Sequence, residues 1–76
     1  MAMKVGKNQI YLHDDLWTIE VYEFMDGATP MYSVWDATPS KSLAIKYAKL
    51  VTRNTSHEGF YARKFKEDNE KLAKRK

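Results

Sequence analysis

Residues 16–24 constrain the fold more than any other stretch of this chain. Trp17, Ile19 and Val21 fall on one face of an extended backbone, and Thr18, Glu20 and Tyr22 on the other. That is a period of two, written in residues that favour strands. Met25-Asp26-Gly27-Ala28-Thr29-Pro30 follows as a turn, with Gly27 free to take positive φ. Residues 31–36 return as a second strand, in which Tyr32 and Val34 oppose Ser33 and Trp35 and either pair suits the interior. Upstream, residues 9–13 alternate weakly, Ile10 and Leu12 against Tyr11 and His13. Asp14-Asp15 marks a further turn, because Asp competes for local backbone bonds and tolerates tight geometry.

After the hairpin the period changes. Thr38 is placed to cap a helix over 39–54, with Pro39 at the first helical position, where its missing N–H costs nothing. Leu43, Ala44, Tyr47, Ala48, Leu50 and Val51 fall in one arc of that helix. Ser42, Lys46, Lys49 and Arg53 fall nearly opposite, with Ile45 beside the basic stripe, and Asn54 suits a C-terminal cap. Residues 60–65 alternate as Phe60, Ala62 and Lys64 against Tyr61, Arg63 and Phe65, which favours a strand added to the sheet. The competing reading is a helix with Thr55-Ser56-His57-Glu58 as a capping box and Tyr61, Phe65 and Leu72 on one face. Gly59 weighs against it by about 1 kcal/mol relative to Ala. A basic tail, helical or frayed, follows over 66–76. The expected fold is α+β: an antiparallel sheet of three to four strands with one amphipathic helix packed on one face.

Seventy-six residues make a single small domain, which buries only roughly 60–65% of its unfolded surface. The chain has no cysteine and only two histidines, His13 and His57, which excludes a disulfide framework and any thiolate zinc site. Packed apolar groups must supply the stability, and ten aromatic residues are a good supply. No apolar run approaches the roughly 20 residues that span a bilayer, and the first residues are too mixed for a signal peptide. The expectation is a cytoplasmic protein with no membrane, metal or cofactor. Asn54-Thr55-Ser56 matches a glycosylation sequon and is read as chance.

Charge is distributed unevenly. Residues 1–38 carry two lysines against six carboxylates, and residues 39–76 carry eleven Lys and Arg against four. The net +3 therefore joins an acidic half of −4 to a basic half of +7. Such polarity points to one surface that meets an anionic partner. Lys46, Lys49 and Arg53 form its centre, with Arg63, Lys64, Lys66 and Lys74-Arg75-Lys76 within reach. These cations would neutralise several phosphates or meet an acidic protein surface. A sheet covered by one helix leaves a face open, on which Tyr11, Tyr22, Phe24 and either Tyr32 or Trp35 would lie. Glu20 shares that face with Tyr22 and repels phosphate, so an open aromatic face suits a protein partner or a homodimer contact better than stacked bases.

No arrangement identifies a reaction. His13-Asp14-Asp15 brings a histidine to carboxylates, but consecutive strand residues point to opposite faces, and a solvated turn is the plainer reading. Glu20 and Glu23 would likewise stand on opposite faces of a regular strand. Thr38, Ser40, Lys41 and Ser42 gather hydroxyls and a cation where a helix begins, which ordinary capping explains.

The order of hairpin, Trp35-Asp36-Ala37-Thr38 and a helix bearing Ala44, Tyr47 and Ala48 resembles, in layout, three-stranded DNA-binding modules of the integrase-arm and plant AP2 kind. That resemblance covers roughly residues 16–54 and rests on no specific motif. In those modules the sheet carries Arg and Lys, whereas Glu20, Glu23 and Asp36 stand here. The expected function is a non-enzymatic binding module that regulates or inhibits a protein partner with an acidic surface. Lys46, Lys49, Arg53, Arg63 and Lys64 would steer it, and Ile45, Tyr22 and Trp35 would supply short-range contacts. Small size and charge polarity suit a phage or mobile-element protein acting on a host factor. The alternative is sequence-tolerant nucleic-acid binding through the same cations.

Overall fold

The computed structural model describes residues 2–53 and 59–73. Its elements are β1 (Met3–Val5), β2 (Asn8–His13), β3 (Leu16–Asp26), β4 (Thr29–Thr38), α1 (Lys41–Leu50) and α2 (Gly59–Ala73). The strands form one antiparallel sheet in chain order, β1-β2-β3-β4, with two-residue turns between successive strands. Asp14 and Asp15 both take positive φ, 51° and 65°, the pattern of a hairpin turn whose twist matches that of the flanking strands. The architecture is α+β, as the two sequence periods predict.

The third and fourth strands outrun the first two. β2 begins at Asn8 and pairs Gln9 with Glu20, so beyond Val21 the sheet narrows to a β3–β4 ribbon. The molecule is accordingly long, 46 × 27 × 17 Å. Two irregularities shape this hairpin. Ile19 pairs with Asp36 but Glu20 with Val34, which leaves Trp35 as an extra residue in β4. Tyr22 pairs with Tyr32 but Phe24 with Met31, which leaves Glu23 extra in β3. An extra residue bends its strand and re-aims the side chains beside it.

Both helices pack on the same face of the sheet. Val5, Ile10 and Ile19 meet Ala44, Tyr47 and Ala48 of α1 and Phe65 of α2, all buried. Trp35 leans into this core. Its ring stacks on Tyr47 at 6.0 Å and 21°, and meets Phe65 edge-on at 5.2 Å. Of the two rings assigned in sequence to the open face, Tyr32 lies there, opposite Tyr22, and Trp35 does not.

Helix α1 is shorter than expected at both ends. Its N-cap is Ser40, whose Oγ accepts from the Leu43 amide at 3.1 Å. Thr38, expected as the cap, is buried instead; its Oγ1 accepts from the Ser40 amide and donates to Asn69 Oδ1 at 2.7 Å. Pro39 therefore precedes the cap. At the other end the backbone leaves the helix at Val51, φ −82° and ψ 148°, three residues before Asn54, which lies outside the described residues. Asn8 explains this early stop. Buried at the start of β2, it donates from Nδ2 to the carbonyls of Ala48 and Val51, at 2.8 and 2.7 Å. Its Oδ1 accepts from the Tyr22 amide at 3.0 Å, so one side chain joins the helix end to β3. Leu50, expected inside, is left exposed, while Val51 turns in.

The strand expected over 60–65 is a helix. Tyr61, Phe65, Asp68, Asn69 and Leu72 are the positions of α2 turned at least partly inward, a spacing of three and four. Phe65 fills the core between Trp35 and Tyr47, while Asp68 and Asn69 bond Tyr47 and Thr38. A strand would have set Phe65 and Arg63 on one face, sending the ring and the guanidinium the same way. The capping box at 55–58 lies outside the described residues. Much of the basic tail, up to Ala73, belongs to this helix, and Lys74-Arg75-Lys76 lies outside the described residues.

Candidate functional site

The basic residues singled out in sequence do not form one patch. Packing α2 against α1 divides them in two. Lys46 turns toward the interhelix seam, where its Nζ lies 3.6 Å from Asp68 Oδ2 and 5.6 Å from the Tyr47 ring centroid. Lys64 and Lys71 flank the same carboxylate. The hydrogen bond from Tyr47, with the charges of Lys46, Lys64 and Lys71, holds Asp68 below the usual carboxylate range. The seam is therefore partly neutralised within the protein. Arg63 is exposed on α2 away from the core, and Ile45 is half-buried against the core rather than presented to solvent.

Lys49 and Arg53 go elsewhere, to a groove of about 490 Å³ below the turn between β1 and β2. Gly6, Lys7, Tyr22 and Glu23 line its other side. The groove exists because Asn8 ends α1 early, so the segment after Leu50 runs beside β3 instead of continuing as helix. Arg53 Nε lies 3.8 Å from Glu23 Oε1, and Glu23 Oε2 accepts from Ser33 Oγ at 2.7 Å. Glu23 follows Val21 by two residues and so lies on the helix side of the sheet. Its role here is to hold Arg53, not to act with Glu20, which accepts from Gln9 Nε2 and Tyr11 on the other face.

A second hollow lies beside the first. The two share Gly6, Lys7 and Tyr22, and the second adds Lys4, Met25 and Pro30. Lys4 Nζ donates to Tyr32 Oη at 2.8 Å and sits 5.4 Å from that ring's centroid. Tyr32 in turn meets Tyr22 edge-on at 6.1 Å. The two hollows form a track past Tyr22, with Lys49, Arg53 and one carboxylate, Glu23, lining the first, Lys4 the second and Lys7 both. The track opens onto the ribbon, where Phe24, Met25 and Met31 are exposed.

Of the residues selected in sequence, the track brings together Tyr22, Lys49 and Arg53. It leaves out Lys46, Arg63, Lys64, Ile45 and Trp35. Lys4 and Lys7 were missed because they lie in the acidic half, more than forty residues before Lys49. The signal that could have found them is the turn at Gly6-Lys7, which folds the first strands back against the end of α1. His13 and Asp14, 3.3 Å apart, are both largely exposed at their turn. Among the described residues no three His, Cys, Asp or Glu side chains group as a metal site would require, and no helix is long and apolar enough to cross a membrane. Comparison of the chain with protein-family models, with curated proteins and with solved structures finds no match.

Proposed function

We propose that this protein is a non-enzymatic binding module that regulates or inhibits a partner protein by seating an acidic, partly apolar segment of that partner in the track around Tyr22. The supporting observation is that two hollows sharing Gly6, Lys7 and Tyr22 are lined by four cations, Lys4, Lys7, Lys49 and Arg53, next to exposed Met25 and Pro30. The cations supply steering and orientation, and the aromatic and thioether groups supply desolvated contact, as Tyr and Met do in interface cores. Sequence-tolerant nucleic-acid binding is the competing reading, carried by the cations of both helices; Asp68 within one cluster and Glu23 within the other oppose it electrostatically.

Fluorescence anisotropy decides between them. The probes are a labelled peptide alternating Glu with Leu and Phe, and labelled single-stranded and duplex DNA, at 50 and 200 mM salt. Micromolar peptide binding that survives 200 mM salt supports the protein-binding reading. Lys49→Glu with Arg53→Glu, or Tyr22→Ala alone, should weaken it about tenfold or more. DNA binding in preference to the peptide, lost steeply with salt, establishes the other reading.

A further inference from the structure

We infer that Glu23 sets the specificity of the track: it turns away nucleic acid, whose charge repeats at every step, and admits a protein segment whose carboxylates alternate with apolar side chains. This rests on the protein-binding reading above. Among the described residues that line the two hollows there are four cations, Lys4, Lys7, Lys49 and Arg53, and one carboxylate, that of Glu23. Its charge lowers the lining from +4 to +3. Without it the track would be a plain strip of positive charge, with which any polyanion pairs.

Stability does not account for a carboxylate at this position. Its cationic partner Arg53 lies 3.8 Å away with a side chain 63% exposed, and an ion pair this open to water adds little to folding. The Glu23 side chain is itself only 23% exposed, and the Ser33 hydroxyl donates to it at 2.7 Å. The charge is therefore held in place and is screened less than one on a fully solvated side chain. Ala48 and Val51 line the same hollow. A peptide can lay an apolar side chain along these groups and direct its carboxylates to Lys7 and Lys49. A phosphodiester strand has no uncharged step to offer, so a phosphate is brought against Glu23. Like charge set against the wrong partner is a means by which binding surfaces reject it. Glu20 cannot serve in this way: it accepts from Gln9 Nε2 and Tyr11 on the other face and lines neither hollow.

Anisotropy titrations of Glu23→Gln test this, with labelled single-stranded and duplex DNA and the peptide of Glu, Leu and Phe as probes. Glutamine keeps the size of the side chain and still accepts from Ser33. The expected result at 50 mM salt is a gain of about tenfold or more in DNA affinity, lost again at 200 mM and at least about fivefold larger than any change in peptide affinity. Glu20→Gln makes the same change in net charge outside the track and should show no such gain. The inference is overturned if Glu23→Gln gains no DNA affinity, whether or not the peptide binds. Equal gains for DNA and peptide overturn it too, as does an equal gain from Glu20→Gln, which would make net charge the cause. If the wild-type protein binds no peptide while Glu23→Gln alone gains DNA affinity, the protein-binding reading fails and the exclusion of DNA by Glu23 stands.

Discussion

The hydroxyl of Tyr47 donates to Asp68 Oδ2 across 2.7 Å, and that bond joins the buried centre of α1 to the polar shoulder of α2. The Tyr47 ring is wholly inside, against Trp35 and Phe65, while the oxygen reaches the edge of the core and ends in a carboxylate. Lys46, one residue before Tyr47, approaches the same oxygen. The second helix is thus held by both apolar contact and a charge-assisted hydrogen bond.

This bond makes stability depend on pH at both ends of the scale. Asp68 is held below its unfolded value, so its contribution is present above about pH 4 and is lost as pH falls through the folded value. Burial, with the adjoining Asp68 carboxylate, raises the Tyr47 hydroxyl, so that contribution is complete below about pH 10 and fades as pH rises beyond it. Urea unfolding at pH 3, 7 and 10.5 should show a plateau at neutrality and losses on both sides. In Tyr47→Phe the alkaline loss should be reduced, and a variant that keeps the full alkaline loss would assign it to other groups.

Asn8 should be among the most sensitive polar positions. It is 4% exposed and makes three hydrogen bonds, two of them to carbonyls that close α1. Asn8→Ala should cost about 2–4 kcal/mol, because buried backbone groups lose their partners. Asn8→Asp should be worse at neutral pH, since a carboxylate would face the Ala48 and Val51 carbonyls. Its folded pKa would be raised, so this variant should recover stability as pH falls. Urea midpoints at pH 4 and 7 provide the check.

The two phenylalanines of α2 should behave oppositely. Phe65 is 1% exposed and Phe60 is 62% exposed. Phe65→Ala should cost about 3–5 kcal/mol through transfer and cavity effects. Phe60→Ala should stay within about 0.5 kcal/mol. Comparable losses at both sites, measured by thermal unfolding, would contradict the packing of this helix.

The turn between β2 and β3 offers a gain. Asp15 holds φ at 65°, where a side chain is strained and glycine is not. Asp15→Gly converts the pair to Asp-Gly, favoured in two-residue hairpins, and should add about 0.5–1 kcal/mol. A lowered melting temperature would mean that the Asp15 side chain contributes more than its backbone strain costs.

Regular stretches of this fold were legible in the sequence. The alternation of Trp17, Ile19 and Val21 identified β3, and Ala44, Tyr47 and Ala48 identified the buried side of α1. What escaped notice depends on polar groups or on broken register. The inward face of α2 includes Asp68 and Asn69, which no hydrophobic pattern registers, so the alternation of Phe60, Ala62 and Lys64 looked like a strand. Trp35 could not be oriented from the sequence, because β4 gains a residue at that position. The track was half visible: Lys49 and Arg53 came from a helix face, but Lys4 and Lys7 join them only through the sheet and through Asn8, whose importance lies entirely in long-range bonds.

The extra residues at Trp35 and Glu23 sit on opposite strands of one hairpin, so the slip introduced by the first is undone by the second. Only the pairs between them, from Glu20 to Tyr22, run out of phase with the rest. The chain therefore carries a local frameshift and its own compensator. Deleting Trp35 or Glu23 alone would throw one end of the hairpin out of alignment with its turn or with α1, whereas deleting both would restore the pairing of the flanks. The restored ribbon would still lack the ring that packs between Tyr47 and Phe65, and the carboxylate that holds Arg53. The two positions act as paired insertions: a residue removed from one strand keeps the turn and the α1 end of the hairpin in register only if the other strand loses one as well.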